Sequence, residues 1–146
     1  MTIIDQGLLD RLLNQAENSE RKRINYDLRT KQDDNSQRML NAMQPGTLVS
    51  VHRHPYSDET VVCLKGKLEA IFFEESSKCD KDPFNGDFMH KRVFKESHRE
   101  LLSPTEGLYE IQIPAGTWHT VHVIEPTVII EMKDGRYGED GSVTMD

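Results

Sequence analysis

The spacing around His52 and His54 constrains this chain more than any other feature. Gly46 is followed by five residues, then His52-Arg53-His54, four more residues, Glu59, six more residues and Gly66. On a strand, residues two apart face the same side, so His52 and His54 share a face. Glu59 returns to that face if a tight turn intervenes, and Pro55-Tyr56-Ser57-Asp58 has the chemistry of one. Far downstream, the turn at Pro114-Ala115-Gly116 precedes Thr117-Trp118-His119. A fold that brings these stretches together converges three imidazoles and one carboxylate. That donor set suits a borderline divalent ion such as Fe, Mn, Ni or Zn, whereas Mg and Ca prefer all-oxygen sites.

The rest of the chain has the pattern of short strands. Leu8, Leu9, Leu12, Leu13 and Ala16 recur at helical spacing, which predicts an amphipathic helix over roughly residues 5–18 with Asp5 as N-cap. Its apolar stripe needs either the outside of the β domain or a second subunit. Ile24, Tyr26 and Leu28 alternate as in a short strand. Strands are then expected over 39–43, 48–52 and 60–64, with Lys65-Gly66-Lys67 turning the last into 68–73. A long polar loop is expected over 74–87, then strands near 90–94 and 100–102. Residues 108–113 alternate, and 119–124 and 127–133 form a final pair joined at Glu125-Pro126. Short strands with Gly or Pro turns at this spacing read as a sandwich or barrel.

These residues resemble the cupin superfamily. Residues 46–66 fill every fixed position of its first signature, G-x5-H-x-H-x(3,4)-E-x6-G. Residues 107–123 resemble the second, G-x5-P-x-G-x2-H-x3-N, with two departures. Six residues rather than five separate Gly107 from Pro114, and Val123 stands where the motif has Asn. The resemblance implies an all-β, single-domain double-stranded β-helix, a jelly-roll barrel, with an N-terminal α-helix. It implies one divalent transition metal ion held by His52, His54, Glu59 and His119. A narrower likeness is to the WbuC-type cupin-fold metalloproteins, small proteins associated with surface-polysaccharide gene clusters. It rests on the Leu-rich helix, Gln37-Arg38-Met39-Leu40 and Glu131-Met132-Lys133-Asp134-Gly135.

The bulk properties narrow the function classes. A chain of 146 residues supports one core. The expected layout is a helix and extension over 1–36, a barrel over 37–134, and a polar tail over 135–146 that is mobile or lies along a partner. A net charge of −7 argues against a nucleic-acid surface. No stretch has the length of a membrane span or the look of a signal peptide. Cys63 lies in an apolar strand and Cys79 in a charged stretch, so no disulfide is indicated and a reducing cytoplasm is the expectation.

Not every histidine belongs to the metal reading. His122 lies three residues after His119, so strand parity turns it away from the metal. His90 and His98 read as surface residues. The resemblance implies a metal-dependent enzyme acting on a small oxygen-rich molecule, with isomerase and dioxygenase chemistry both open, and the WbuC-type likeness implies a sugar or sugar-derived acid. The alternative is a non-catalytic metal-dependent binder or sensor. Arg38, Tyr56 and Glu131 are candidate substrate-facing residues by position. A homodimer is expected, with a small-molecule ligand as the other partner.

Overall fold

The computed structural model describes residues 1–145; Asp146, the last residue of the expected tail, lies outside them. Helix α1 spans Gln6–Glu17. Asp5 caps it from extended backbone, its carboxylate accepting from the Leu8 amide at 2.9 Å. At the other end the Lys22 ammonium donates to the Glu17 carbonyl at 2.9 Å, where a cation also complements the helix dipole. Leu8, Leu9, Leu12, Leu13 and Ala16 are buried against Leu40, Ala42 and Val128. The apolar stripe is therefore covered by the protein's own sheet.

Eight strands follow. These are β1 (Arg23–Asp27), β2 (Ser36–Met43), β3 (His52–Arg53), β4 (Glu59–Lys81), β5 (Phe88–Leu102), β6 (Glu110–Ile113), β7 (Trp118–Asp134) and β8 (Val143–Thr144). The path β1-β2-β7-β3-β8 is antiparallel throughout, and β4 pairs with β5, β6 and β7. The long strands β4 and β7 run alongside each other from Glu59↔Lys133 to Phe73↔Trp118. Their winding gives a double-stranded β-helix. One core, with Met43, Val61, Leu68, Phe72, Val123 and Ile129, fills the barrel; the helix seals a second on its outside.

Several sequence expectations change here. The turns expected at Lys65-Gly66-Lys67 and Glu125-Pro126 do not form, because β4 and β7 continue through both. The register shifts there instead. Before the shift Glu59, Val61 and Cys63 face inward; after it Leu68, Ala70 and Phe72 do. The inward parity of β4 thus flips from odd to even, as one extra residue in a β-bulge requires. Gly66 adopts φ 97°, and a Cβ there would collide with Pro126 O. The Thr127 hydroxyl satisfies the opened ladder, accepting from Lys67 N at 3.0 Å and donating to Glu125 O at 2.7 Å.

The polar loop expected over 74–87 is a β-hairpin arm, with Glu74↔Lys95 through Lys81↔Phe88 paired in sequence. Its two faces are both largely exposed, so the alternation that marks a half-buried strand is missing. The strand expected over 48–52 is reduced to His52–Arg53. The polar tail folds back: β8 pairs with β3, and Met145 N donates to Val51 O at 2.9 Å.

Candidate metal centre

The barrel strands deliver the four residues singled out by spacing to one point. His52 lies opposite His119 in the β3–β7 ladder, with ring centroids 4.4 Å apart. His54 follows β3, its ring 5.1 Å from that of His52 and 5.8 Å from that of His119. Glu59 opens β4 and is buried. The two turns that carry these ligands are tied together: Ala115 N donates to the Asp58 carboxylate at 2.8 Å, and Gly116 N to His54 O at 2.8 Å. One ligand atom from each of His52, His54, Glu59 and His119 lies within 4.8 Å of all the others.

The outer ring nitrogens decide what the inner ones can do. His52 Nδ1 is 2.8 Å from Ser50 O, and His119 Nδ1 is 2.8 Å from Thr117 O. A carbonyl only accepts, so both Nδ1 atoms carry the proton, and in the neutral rings Nε2 presents a lone pair inward. His54 Nδ1 faces Asp140 Oδ2 at 2.9 Å and Ser142 Oγ at 2.7 Å. His54 Nε2 approaches Glu59 Oε2 at 2.8 Å and His119 Nε2 approaches it at 3.5 Å. Glu59 Oε2 is buried and has no hydrogen-bond donor while His54 Nε2 carries no proton. Lone pairs converging on an orphaned carboxylate oxygen are what a divalent cation resolves, so the donor set fits such an ion.

Charge states agree with that fit. Burial pushes the His52 pKa down to about 4, helped by the neighbouring His119 ring. Burial works against the Glu59 charge, but the His119 and His54 rings outweigh it and hold the carboxyl below its ordinary range. His54 is shifted the other way: burial favours the neutral ring, yet Glu59 and Asp140 outweigh it and raise its pKa. A metal arriving at this site therefore competes with a proton chiefly on His54.

The other candidate residues are dispersed. Glu131 lines the small inner cavity of ≈ 30 Å³ together with Asn41, His52, Glu59 and His119. Burial, with the Glu59 charge nearby, pushes its pKa up to about 7. Arg38 sits on β2 in the same parity as Leu40 and Ala42, which face the helix, and pairs with Asp34 at 2.8 Å. Tyr56 is exposed beside Gly141. The structure thus brings Glu131 to the four-residue cluster and leaves Arg38 and Tyr56 outside it. His122 points outward, 3.4 Å from the Glu69 carboxylate, as parity predicts.

Five residues at or near the site had no role in the sequence reading. His98 is exposed, as expected, and stacks on Phe72 with centroids 4.7 Å apart, in an open groove of ≈ 760 Å³ that also includes Glu100, Tyr109 and Thr117. Leu102 and Ile111 line both this groove and the inner cavity. Asp140 and Lys133 form an ion pair of 2.7 Å behind His54. The only sequence signal for that fold-back is Gly135, Gly138 and Gly141, whose positive φ angles bend the chain sharply.

The barrel has the double-stranded β-helix fold. Residues 4–83 match the family described as Domain of unknown function (DUF6016), and the chain belongs to that family. No curated protein matches the chain. Among solved structures it is similar to a conserved protein of unknown function from Streptococcus pyogenes. The identity is 13% and the TM-score 0.53, over 81% of this chain and 78% of that one. It is also similar to an uncharacterized conserved protein with a double-stranded β-helix domain from Klebsiella pneumoniae subsp. pneumoniae. There the identity is 14% and the TM-score 0.52, over 100% and 98% of the two chains. A third similarity, at 13% identity and TM-score 0.52, is to oxalate oxidase in complex with the substrate analogue glycolate. It covers 87% of this chain but 57% of the oxidase. These likenesses show the fold. Among the described residues, no helix is long and apolar enough to cross a membrane.

Proposed function

We propose that this protein is a divalent transition-metal cupin, with His52, His54, Glu59 and His119 as the metal ligands, and that it acts on a small oxygen-rich molecule. The observation that carries the reading is the convergence of three imidazole nitrogens and the buried Glu59 carboxylate, all within 4.8 Å of one another. A bound ion would supply Lewis-acid character and coordination positions for a substrate oxygen. The chain itself supplies orientation through the Nδ1 hydrogen bonds of the three histidines. Glu131 lines the same cavity, its pKa raised by burial and by the Glu59 charge, and is the group placed to take or give a proton there. The groove between β5 and the 107–112 segment gives a small molecule its approach, since the inner cavity itself has room for little more than water.

A sugar or sugar-derived acid is the substrate class we assign, on the WbuC-type likeness of the flanking residues. Glycolate in the oxalate oxidase neighbour is a small hydroxy acid of the same oxygen-rich kind. Work in the reducing cytoplasm belongs to this reading and is supported by two free thiols, Cys63 and Cys79. The second reading is a non-catalytic metal-dependent binder or sensor. Val123 favours it, because the position where the motif carries a polar Asn is filled here by a core side chain.

The test is metal analysis of untagged protein, followed by assays of O₂ consumption and sugar isomerisation with the loaded form. Stoichiometric metal with turnover supports the enzyme. Stoichiometric metal with ligand-induced stabilisation but no turnover supports the binder. Protein that takes up no divalent ion overturns both.

A further inference from the structure

Two of the three candidate ligand rings are oriented by their own neighbourhood, and the third is not. The Nδ1 partners of His52 and His119 are carbonyls two residues back, at Ser50 and Thr117. The Nδ1 partners of His54 come from Asp140 and Ser142, 86 and 88 residues downstream. Those residues belong to the segment 135–145, which folds back against β3 and His54. It is pinned by Gly135 N donating to Asn35 O at 2.7 Å, by Arg136 donating to Gln32 O at 3.0 Å and by β8 pairing with β3. At its centre the Asp140 and Lys133 side chains are 2% and 3% exposed and 2.7 Å apart. Lys133 is itself the ladder partner of Glu59.

We infer that residues 135–145 are a strap that completes the metal centre: Asp140 is a positioning residue acting through His54, and strap docking and metal binding promote each other. This rests on the metal reading proposed above. With the strap away, the His54 ring loses both Nδ1 partners and keeps only its Nε2 contact with Glu59, so its rotamer is less firmly set. Docking the strap also buries a charge pair, which is costly unless its hydrogen bonds are complete. The His54 Nδ1–H completes them for Asp140. A cation on Nε2 makes that Nδ1–H a stronger donor and so tightens its bond to the carboxylate. Linkage then requires the reverse effect of equal size: whatever the docked strap adds to metal affinity, bound metal adds to strap docking.

The test uses full-length wild type, Asp140→Asn, Asp140→Ala and His119→Ala, with Zn²⁺ as probe. Affinity is read by competition with a chromophoric chelator, and strap opening by amide hydrogen exchange over residues 136–145. Asp140→Ala is expected to weaken Zn²⁺ binding about 10- to 100-fold, and Asp140→Asn, which retains an acceptor, by less. Zn²⁺ is expected to slow exchange in the wild-type strap and to lose that effect in Asp140→Ala at saturating metal. A purely structural Asp140 would lower stability and leave the zinc-dependent change in exchange intact, which overturns the inference. So does wild-type exchange that zinc leaves unchanged. If wild type and His119→Ala bind zinc equally poorly, the metal reading itself fails and the strap inference with it, whatever Asp140→Ala does.

Discussion

His52 and His119 face each other across a two-strand ladder with ring centroids 4.4 Å apart, although they lie 67 positions apart in the chain. Each donates Nδ1 to a carbonyl two residues behind, so both rings present the same nitrogen to the same point. The symmetry of that arrangement sets the first expectation.

His119→Ala and Glu59→Gln should each abolish stoichiometric metal binding, a larger loss than the roughly 10- to 100-fold typical of an outer partner. His122→Ala, on the outer face, should leave metal content at the wild-type level. Elemental analysis of the three variants checks this; equal loss in His119→Ala and His122→Ala would contradict the parity of β7.

The apo-protein should respond to pH in two opposite ways. His52 is lowered to about 4 from 6.5, so its contribution to stability is present above pH 6.5 and is lost as pH falls toward 4. Glu131 is raised to about 7 from 4.5, so its contribution is present below pH 4.5 and is lost as pH rises through 7. Urea midpoints measured at pH 5 and pH 8 should show Glu131→Gln flattening the loss on the alkaline side. An unchanged slope would show that Glu131 titrates normally.

Leu12 is 2% exposed at the helix–sheet contact. Leu12→Ala should cost about 2–5 kcal/mol of stability, the range for a truncated core leucine. Metal stoichiometry should be unaffected, since all four candidate ligands lie beyond the helix. Chemical denaturation alongside metal analysis separates the two effects.

Gly66→Ala should destabilise by more than about 1 kcal/mol, because the bulge demands positive φ and leaves no room for a methyl group beside Pro126. A melting temperature equal to wild type would mean that the β4–β7 ladder can slide past the bulge.

The homodimer we propose no longer draws support from the helix, whose leucines are covered within the chain. It rests on the arm of β4 and β5, where Phe84, Phe88 and Met89 are exposed and, among the described residues, β5 pairs with β4 alone. Light scattering should give a dimer mass at micromolar concentration, and Phe88→Ser with Met89→Ser should shift it toward monomer. A monomer mass for wild type removes the proposal.

What could be read in the sequence was whatever a fixed spacing or a one-sided periodicity encodes. His52, His54, Glu59 and His119 are recoverable because strand parity and two turns leave few ways to arrange them. The helix is recoverable because its five buried residues repeat on one face. The arm is not, because residues 74–81 and 88–95 lie mostly in water on both sides and pair through the backbone and contacts such as Arg92–Glu75. The bulge at Gly66 mimics a turn, since both need positive φ. Asp140 was invisible because an outer hydrogen bond spanning 86 residues leaves no local pattern.

The winding of β4 around β7 also orders events in time. Their ladder joins segments about as far apart as Lys67 and Thr127, which are 60 residues distant in the chain. The loop-closure entropy must be met before any of its contacts count, so folding of this barrel is governed by a late, long-range encounter rather than by local turns. Glu59 and His119 lie on opposite members of that pair, and neither can meet the other until it has closed. The four-residue cluster therefore cannot form before that closure. If the cluster forms after the rate-limiting encounter, an ion that binds it should slow unfolding and leave the refolding rate nearly unchanged, which stopped-flow refolding with and without Zn²⁺ checks.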